Sequence, residues 1–220
     1  ALAGEGMTQG ESDDVRAQLI QKGIQNQALT AYVNHELVSA LGKGSDGDFE
    51  GAVHNWDEGW AFYHGVDGTC GPYGTGDKRA ENYATLESDG KTATANANIL
   101  AAMIDGRDAL LAENVEGATE AAGEVIRNLA VIYSQAVIRY ATKMTSDLAE
   151  GDTEAARVHQ AEGLAFWRVI EPIVGDIDKA STDAINTVFQ LSNPPKSGTE
   201  EDVRRYSVFQ EGHTSRRCRR

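Results

Sequence analysis

The 220-residue chain is poor in several things, and each shortage closes off a class of function. Cysteine occurs twice, at Cys70 and Cys218, with no Cys-x-x-Cys, so thiolate zinc clusters and dithiol redox chemistry are excluded. There is no Walker loop or Gly-x-Ser-x-Gly, and hence no P-loop or nucleophile-elbow serine. No apolar run approaches the ~20 residues of a membrane span, so membrane insertion is not expected. Basic residues are outnumbered, 20 against 34 acidic, for a formal net charge of −14. Phosphate backbones would repel such a chain, which argues against nucleic acid. No run alternates apolar and polar residues at period two, so no sheet is expected.

The cysteines sit in polar contexts, Gly-Thr-Cys-Gly-Pro and Arg-Arg-Cys-Arg-Arg. An even pair of this kind fits a single Cys70–Cys218 disulfide and an oxidising compartment. The opening Ala-Leu-Ala-Gly resembles the small-residue pattern of a signal-peptidase site, as expected of a processed, exported chain.

What is present is helical periodicity. Ser12-Asp13-Asp14 signals a helix start, and apolar residues then recur at helical spacing from Val15 to Leu41. A Gly/Asp loop leads to a Trp-rich helix over 49–64. Residues 65–78 carry enough glycine and proline to predict irregular structure. Helices are then expected over 79–86, 92–112 and 116–148, the last with a break near Gly123. Another, capped by Gly151-Asp152-Thr153, is expected to end near Pro172 or Gly175. Helices over 178–191 and 200–210 follow, and the tail from His213 is basic. The fold class is all-α.

One stretch concentrates chemistry. Val53 to Gly65 holds two of five histidines, two of three tryptophans and Asp57-Glu58. On a helix, Val53, Trp56, Trp60 and Tyr63 share one side, while His54, Asp57, Glu58 and Ala61 share another. The stretch has an echo: Glu58-Gly59-x-Ala61-Phe62-Tyr63 matches Glu162-Gly163-x-Ala165-Phe166-Trp167, with His54 and His159 shortly before each glutamate. The preceding helix repeats too, Ile24-x-x-Gln27-Ala28-x-x-x-Tyr32 against Ile132-x-x-Gln135-Ala136-x-x-x-Tyr140. Shared order and similar separation point to an internal duplication. The expected architecture is a helical bundle of two pseudo-twofold-related halves, about 15–112 and 116–191, within a duplicated domain over 15–191. Residues 1–14 read as an arm and 192–220 as a C-terminal segment. Repeated mid-helix glycine, at Gly59 and Gly163, suggests close approach of another helix or a ligand, because glycine there costs ~1 kcal/mol relative to alanine.

An imidazole and a carboxylate three or four residues apart project from one helical face. His54, Glu58, His159 and Glu162 are therefore the candidate metal residues, expected to converge between the two halves on one iron site, with Asp57 a candidate fifth ligand. Oxygen and imidazole donors suit iron, and a ligand set of this kind should lose affinity as pH falls through ~6.5 toward ~4, the ordinary histidine and glutamate values. The Glu-x-x-His spacing of di-iron bundles is absent, which disfavours an oxidase centre. Glu113, Glu116, Glu120 and Glu124 form a secondary acidic stripe. Each candidate has a structural alternative: Glu58 and Glu162 paired to Arg127, Arg139 or Arg168, the histidines held inside the core, the acidic stripe a solvated face. Tyr32, Tyr140, Gln27 and Gln135 read as polar-tipped core residues, and His35 and His64 as surface residues.

Four phrases go further: Asn55-Trp56-Asp57-Glu58-Gly59-Trp60-Ala61-Phe62-Tyr63, Gly71-Pro72-Tyr73-Gly74-Thr75-Gly76-Asp77-Lys78-Arg79, Val131 to Tyr140, and His159 to Pro172. They resemble the Fe-assimilation proteins of green algae, over most of residues 15–191. The resemblance implies a secreted, periplasmic protein induced by low iron or high CO2. It implies a non-enzymatic role in concentrating iron ions for a membrane uptake system. It supplies no ligand set. The alternatives are a structural or storage protein of the cell exterior without a specific metal, and a helical metal-dependent oxidase or peroxidase-like enzyme.

Overall fold

The computed structural model describes residues 4–206, and the fold is all-α. Its helices are α1 (Asp13–Lys22), α2 (Leu29–Ser45), α3 (Phe49–His64), α4 (Pro72–Tyr83), α5 (Thr94–Leu111), α6 (Val115–Glu150), α7 (Thr153–Ile177), α8 (Lys179–Phe189) and α9 (Thr199–Tyr206). Among the described residues the extended contact is one isolated bridge, Leu86 with Ala93. The chain divides into a central unit, Gln21–Gln135, and a terminal unit built from the chain through Ile20 and from Ala136 onward. Helix α6 runs unbroken through Gly123, where a break was expected, and contributes residues to both units.

In the central unit α3 is the organising helix. Asp48 caps its start by accepting from the Gly51 amide at 2.9 Å. Its buried stripe is Ala52, Trp56, Gly59 and Tyr63, at the three- and four-residue spacing that faces a core. Trp56 donates its indole N–H to the Met103 carbonyl at 2.8 Å, and Tyr63 donates to Asn96 at 2.5 Å. Neither polar tip is left unpaired in the core. The expected continuous helix over 15–41 is interrupted by a π-helical turn, Gly23–Ala28. That turn buries Asn26, whose Oδ1 accepts from Tyr133 at 3.2 Å and from Thr75 at 2.8 Å. Burial pushes the Tyr133 and Tyr63 hydroxyls well above the ordinary tyrosine range, so both remain protonated donors.

Residues 72–78 differ from the expectation of an irregular loop. Helix α4 starts at Pro72, whose fixed φ and missing N–H suit the first turn. Gly71 before it takes φ +91°, open to glycine and strained for other residues. The glycines inside α4 mark tight packing: a Cβ on Gly74 would lie 2.4 Å from the Thr69 carbonyl oxygen, and one on Gly76 2.3 Å from Asn96.

In the terminal unit α7 is the central helix, and Ala161 to Trp167 is a continuous buried run. Asp152 caps it through the Ala155 amide at 2.9 Å. Pro172 does not stop it, and the helix continues to Ile177. Trp167 donates to Asn186 of α8 at 2.9 Å, and Asn186 donates to Glu171 at 2.8 Å. Arg157 is a hub. Its guanidinium reaches Glu11, Gln160 and the carbonyls of Leu191 and Asn193. That ties Glu11 onto α7, and Thr8 nearby is fully buried.

Candidate metal centre

The strongest polar constellation lies in the terminal unit, between the second part of α6 and α7. Tyr140, Lys143 and Asp147 recur on one face of α6 at i, i+3 and i+7. His159, Glu162 and Phe166 recur on α7 with the same spacing. His159 is hydrogen-bonded through Nδ1 to the Asp147 carboxylate. Its Nε2 lies 3.0 Å from the Lys143 Nζ and 3.8 Å from a Glu162 oxygen. Tyr140 donates its hydroxyl to the other Glu162 oxygen at 3.1 Å, and its ring stacks on Phe166 at 5.3 Å. Glu162 itself is only 7% exposed.

The bonds assign the tautomer. An ammonium can only donate, so the Nε2 facing Lys143 must offer a lone pair. Nδ1 then carries the proton and gives it to Asp147. A carboxylate that fixes an imidazole in this way is the usual second partner of a metal-binding histidine. The network thus holds two carboxylates, one ammonium and a neutral imidazole, one negative charge in excess. Phenol, carboxylate and imidazole are the donors that iron accepts.

The candidate residues of the central unit are arranged differently. His54 Nε2 lies 3.3 Å from a Glu58 oxygen, with side chains 72% and 45% exposed. Asp57 is exposed, and its charge is felt by Arg107 of α5. Glu36 of α2 is 7% exposed and accepts from Asn55 Nδ2 at 2.5 Å. Tyr32 stacks on Phe62 at 5.0 Å but is 52% exposed, and Gln27 is exposed, so neither is the core residue expected. His35 is exposed as expected, whereas His64 is half-buried and stacks on Trp60.

The arginine pairings weighed from sequence are not those formed: Arg127 binds Glu124 and Arg168 binds Glu171. Of the acidic stripe, Glu113 lies before α6 with φ +60°, so it is not on the helix. Glu116 is exposed. Glu120 and Glu124 line an open groove of about 510 Å³ with Asp105, Asn98 and Arg127. Arg127 and Asn128 already occupy Glu124, and the Arg127 bond lowers its pKa. Cys70 is exposed, and Cys218, its expected partner, lies outside the described residues. Among the described residues no three His, Cys, Asp or Glu side chains are grouped so as to hold a metal ion. The terminal-unit network reaches three donors by counting the Tyr140 phenol.

Lys143, Asp147 and Glu36 were missed in the sequence. The signal for Lys143 and Asp147 was available, since both fall on the Tyr140 face of α6. Glu36 carried no such signal.

The fold defines an all-α protein in which no described helix is long and apolar enough to cross a membrane. No curated protein and no solved structure matches it. Residues 2–201 match the family model described as low iron-inducible periplasmic protein, and the chain belongs to that family. Membership carries the periplasmic location with it, and the family's induction by low iron is consistent with a role in iron assimilation.

Proposed function

We propose that the chain binds iron in the periplasm and assists its assimilation by presenting it to a membrane uptake system. The observation that carries this reading is the buried Tyr140–His159–Glu162 network with its excess negative charge, in a chain of a low-iron-induced family. An excess charge in a low-dielectric site favours an added cation. His159 and Glu162 are the principal ligands, Tyr140 adds a hard phenolate donor for ferric iron, and Asp147 orients the imidazole. Iron must displace Lys143 from Nε2, because the ammonium uses the same lone pair. His54 and Glu58, with Asp57 beside them, form a second and exposed pair that can take iron with lower affinity.

The duplication inferred from the repeat belongs to the same proposal. The Tyr32–Phe62 and Tyr140–Phe166 stacks occupy matching positions of the two repeats, and both are near-parallel, at 27° and 18°. Their likeness supports common descent of the two helix pairs.

Competitive titration of ferric iron against a chelator tests the assignment. Glu162→Gln keeps the shape and removes the charge, so affinity should fall at least tenfold. A second reading treats the network as structural, since Lys143 already supplies one cation to it. Under that reading Glu162→Gln lowers thermal stability equally with and without iron and leaves the titration unchanged. That result would sink the metal assignment.

A further inference from the structure

The α2–α3 seam of the central unit contains a buried carboxylate that no cation among the described residues pairs with. Glu36 is 7% exposed, and its one hydrogen bond is from Asn55 Nδ2 at 2.5 Å. Among the described residues no Lys, Arg or His nitrogen lies within ion-pair distance of it. Asn55 Oδ1 is also buried, and it accepts from no donor. Two hard oxygen acceptors from neighbouring helices thus share one seam, with no positive charge paired to them among the described residues. A carboxylate in that position needs a counter-ion or a proton, because burying an unpaired charge is costly.

A second carboxylate lies on the same face of α3 as Asn55. Glu58 follows Asn55 by one helical turn, and its carboxylate is half-exposed and bonded to His54. Gly59, next to Glu58, keeps the two helices close: its missing Cβ would sit 3.5 Å from the Glu36 Cβ and 3.7 Å from the Val33 carbonyl oxygen. The Asn55 amide can also turn over, since its oxygen and nitrogen are assigned by the hydrogen bond alone. Turned, it places Oδ1 beside the Glu36 carboxylate, an arrangement that a bridging cation, or a proton on Glu36, stabilises.

We infer that Glu36, Asn55 and Glu58 form a cation site of the central unit, selective for hard, oxygen-seeking ions. The donors are two carboxylates and an amide oxygen, with water completing the shell. That set favours Ca²⁺, Fe³⁺ or a lanthanide over thiophilic metals. The site stands on central-unit residues alone. It therefore holds whether or not the terminal-unit network binds iron.

The test uses Tb³⁺ as the probe, read by luminescence titration and by thermal unfolding with and without the ion. It is run in the full chain and again in a Glu162→Gln background, which silences the terminal-unit network. In both backgrounds the ion should raise the unfolding temperature, as any ligand of the native state does. Glu36→Gln should weaken binding at least tenfold and abolish that rise. The ion-free Glu36→Gln protein should be as stable as the parent or more so, because an uncompensated buried charge is gone. Asn55→Asp should lower ion-free stability and widen the gap between ion-loaded and ion-free unfolding. If Glu36→Gln binds Tb³⁺ as tightly as the parent in both backgrounds, the inference is wrong. If it binds as tightly in the full chain but loses the ion in the Glu162→Gln background, the ion belongs to the terminal-unit network and the inference is equally overturned. Competition with Ca²⁺ and ferric citrate then identifies which hard ion the seam prefers.

Discussion

Replacing the two repeat glycines by alanine, one at a time, should move stability in opposite directions. Both sit mid-helix in the same Glu-Gly-x-Ala-Phe phrase, so local propensity predicts the same gain for each, about 0.5–1 kcal/mol. Their surroundings differ. A Cβ on Gly59 would meet Glu36 at 3.5 Å, Leu37 at 3.7 Å and the Val33 carbonyl at 3.7 Å, all ordinary contacts. Gly59→Ala should therefore keep the propensity gain and raise stability by about 0.5–1 kcal/mol. A Cβ on Gly163 would lie 2.1 Å from a ring carbon of Phe189, and that ring is fully buried against α7. It cannot turn into solvent, so α8 must shift. Overpacking of this sort costs about 1–3 kcal/mol, which outweighs the propensity gain. Urea unfolding followed by far-ultraviolet circular dichroism reads both changes as shifts in midpoint at unchanged slope. A Gly163→Ala midpoint equal to or above the parent's would refute the packing argument. A loss at Gly59 comparable to that at Gly163 would show that the α2–α3 seam is tighter than the distances imply.

Gly106→Ala should be among the most damaging single changes in the central unit, since its Cβ would overlap the Trp56 ring at 1.9 Å, and loss of native tryptophan fluorescence should report it. Tyr140→Phe should weaken ferric iron binding and remove any phenolate-to-iron absorption band, while leaving the stacked ring pair with Phe166 in place. Asp89 accepts from Thr92 and from the Lys91 amide, and these bonds hold its carboxyl at about 2. A depressed carboxyl stabilises the fold above its unfolded value near 3.9, and that contribution fades as pH falls toward about 2. Hydrogen exchange at Glu87 and Thr94 should accordingly accelerate in that acid window, and Asp89→Asn should bring the same acceleration to neutral pH. Alkylation of the non-reduced chain should leave Cys70 unmodified if it is bridged to Cys218; two reactive thiols would remove the disulfide and weaken the case for an oxidising compartment.

The sequence alone was sufficient for the fold class and for most helix positions, because 3.6-residue periodicity and side-chain caps are local. Asp48, Asp152 and Asp178 cap the helices that follow them through amides two or three residues ahead, and no distant contact is needed. The family resemblance was legible for a related reason: long exact phrases such as Asn55 to Tyr63 survive in the sequence whatever the packing. Tertiary structure decided whatever depends on what a residue meets. Gly74 and Gly76 read as loop formers, yet they sit inside α4, where Thr69 and Asn96 leave no room for a side chain. Tyr32 and Tyr140 are equivalent in the repeat, but one is half-exposed and the other is buried against Glu162. His54 and His159 are likewise equivalent in pattern. One faces solvent with Glu58, and the other is held between Asp147 and Lys143. Glu36 is the clearest case. Nothing in its sequence neighbourhood marks it, and its importance comes from α3 burying it where no cation among the described residues pairs with it. Periodicity places a side chain on a face, and only the partner helix fixes whether that face carries an unpaired charge.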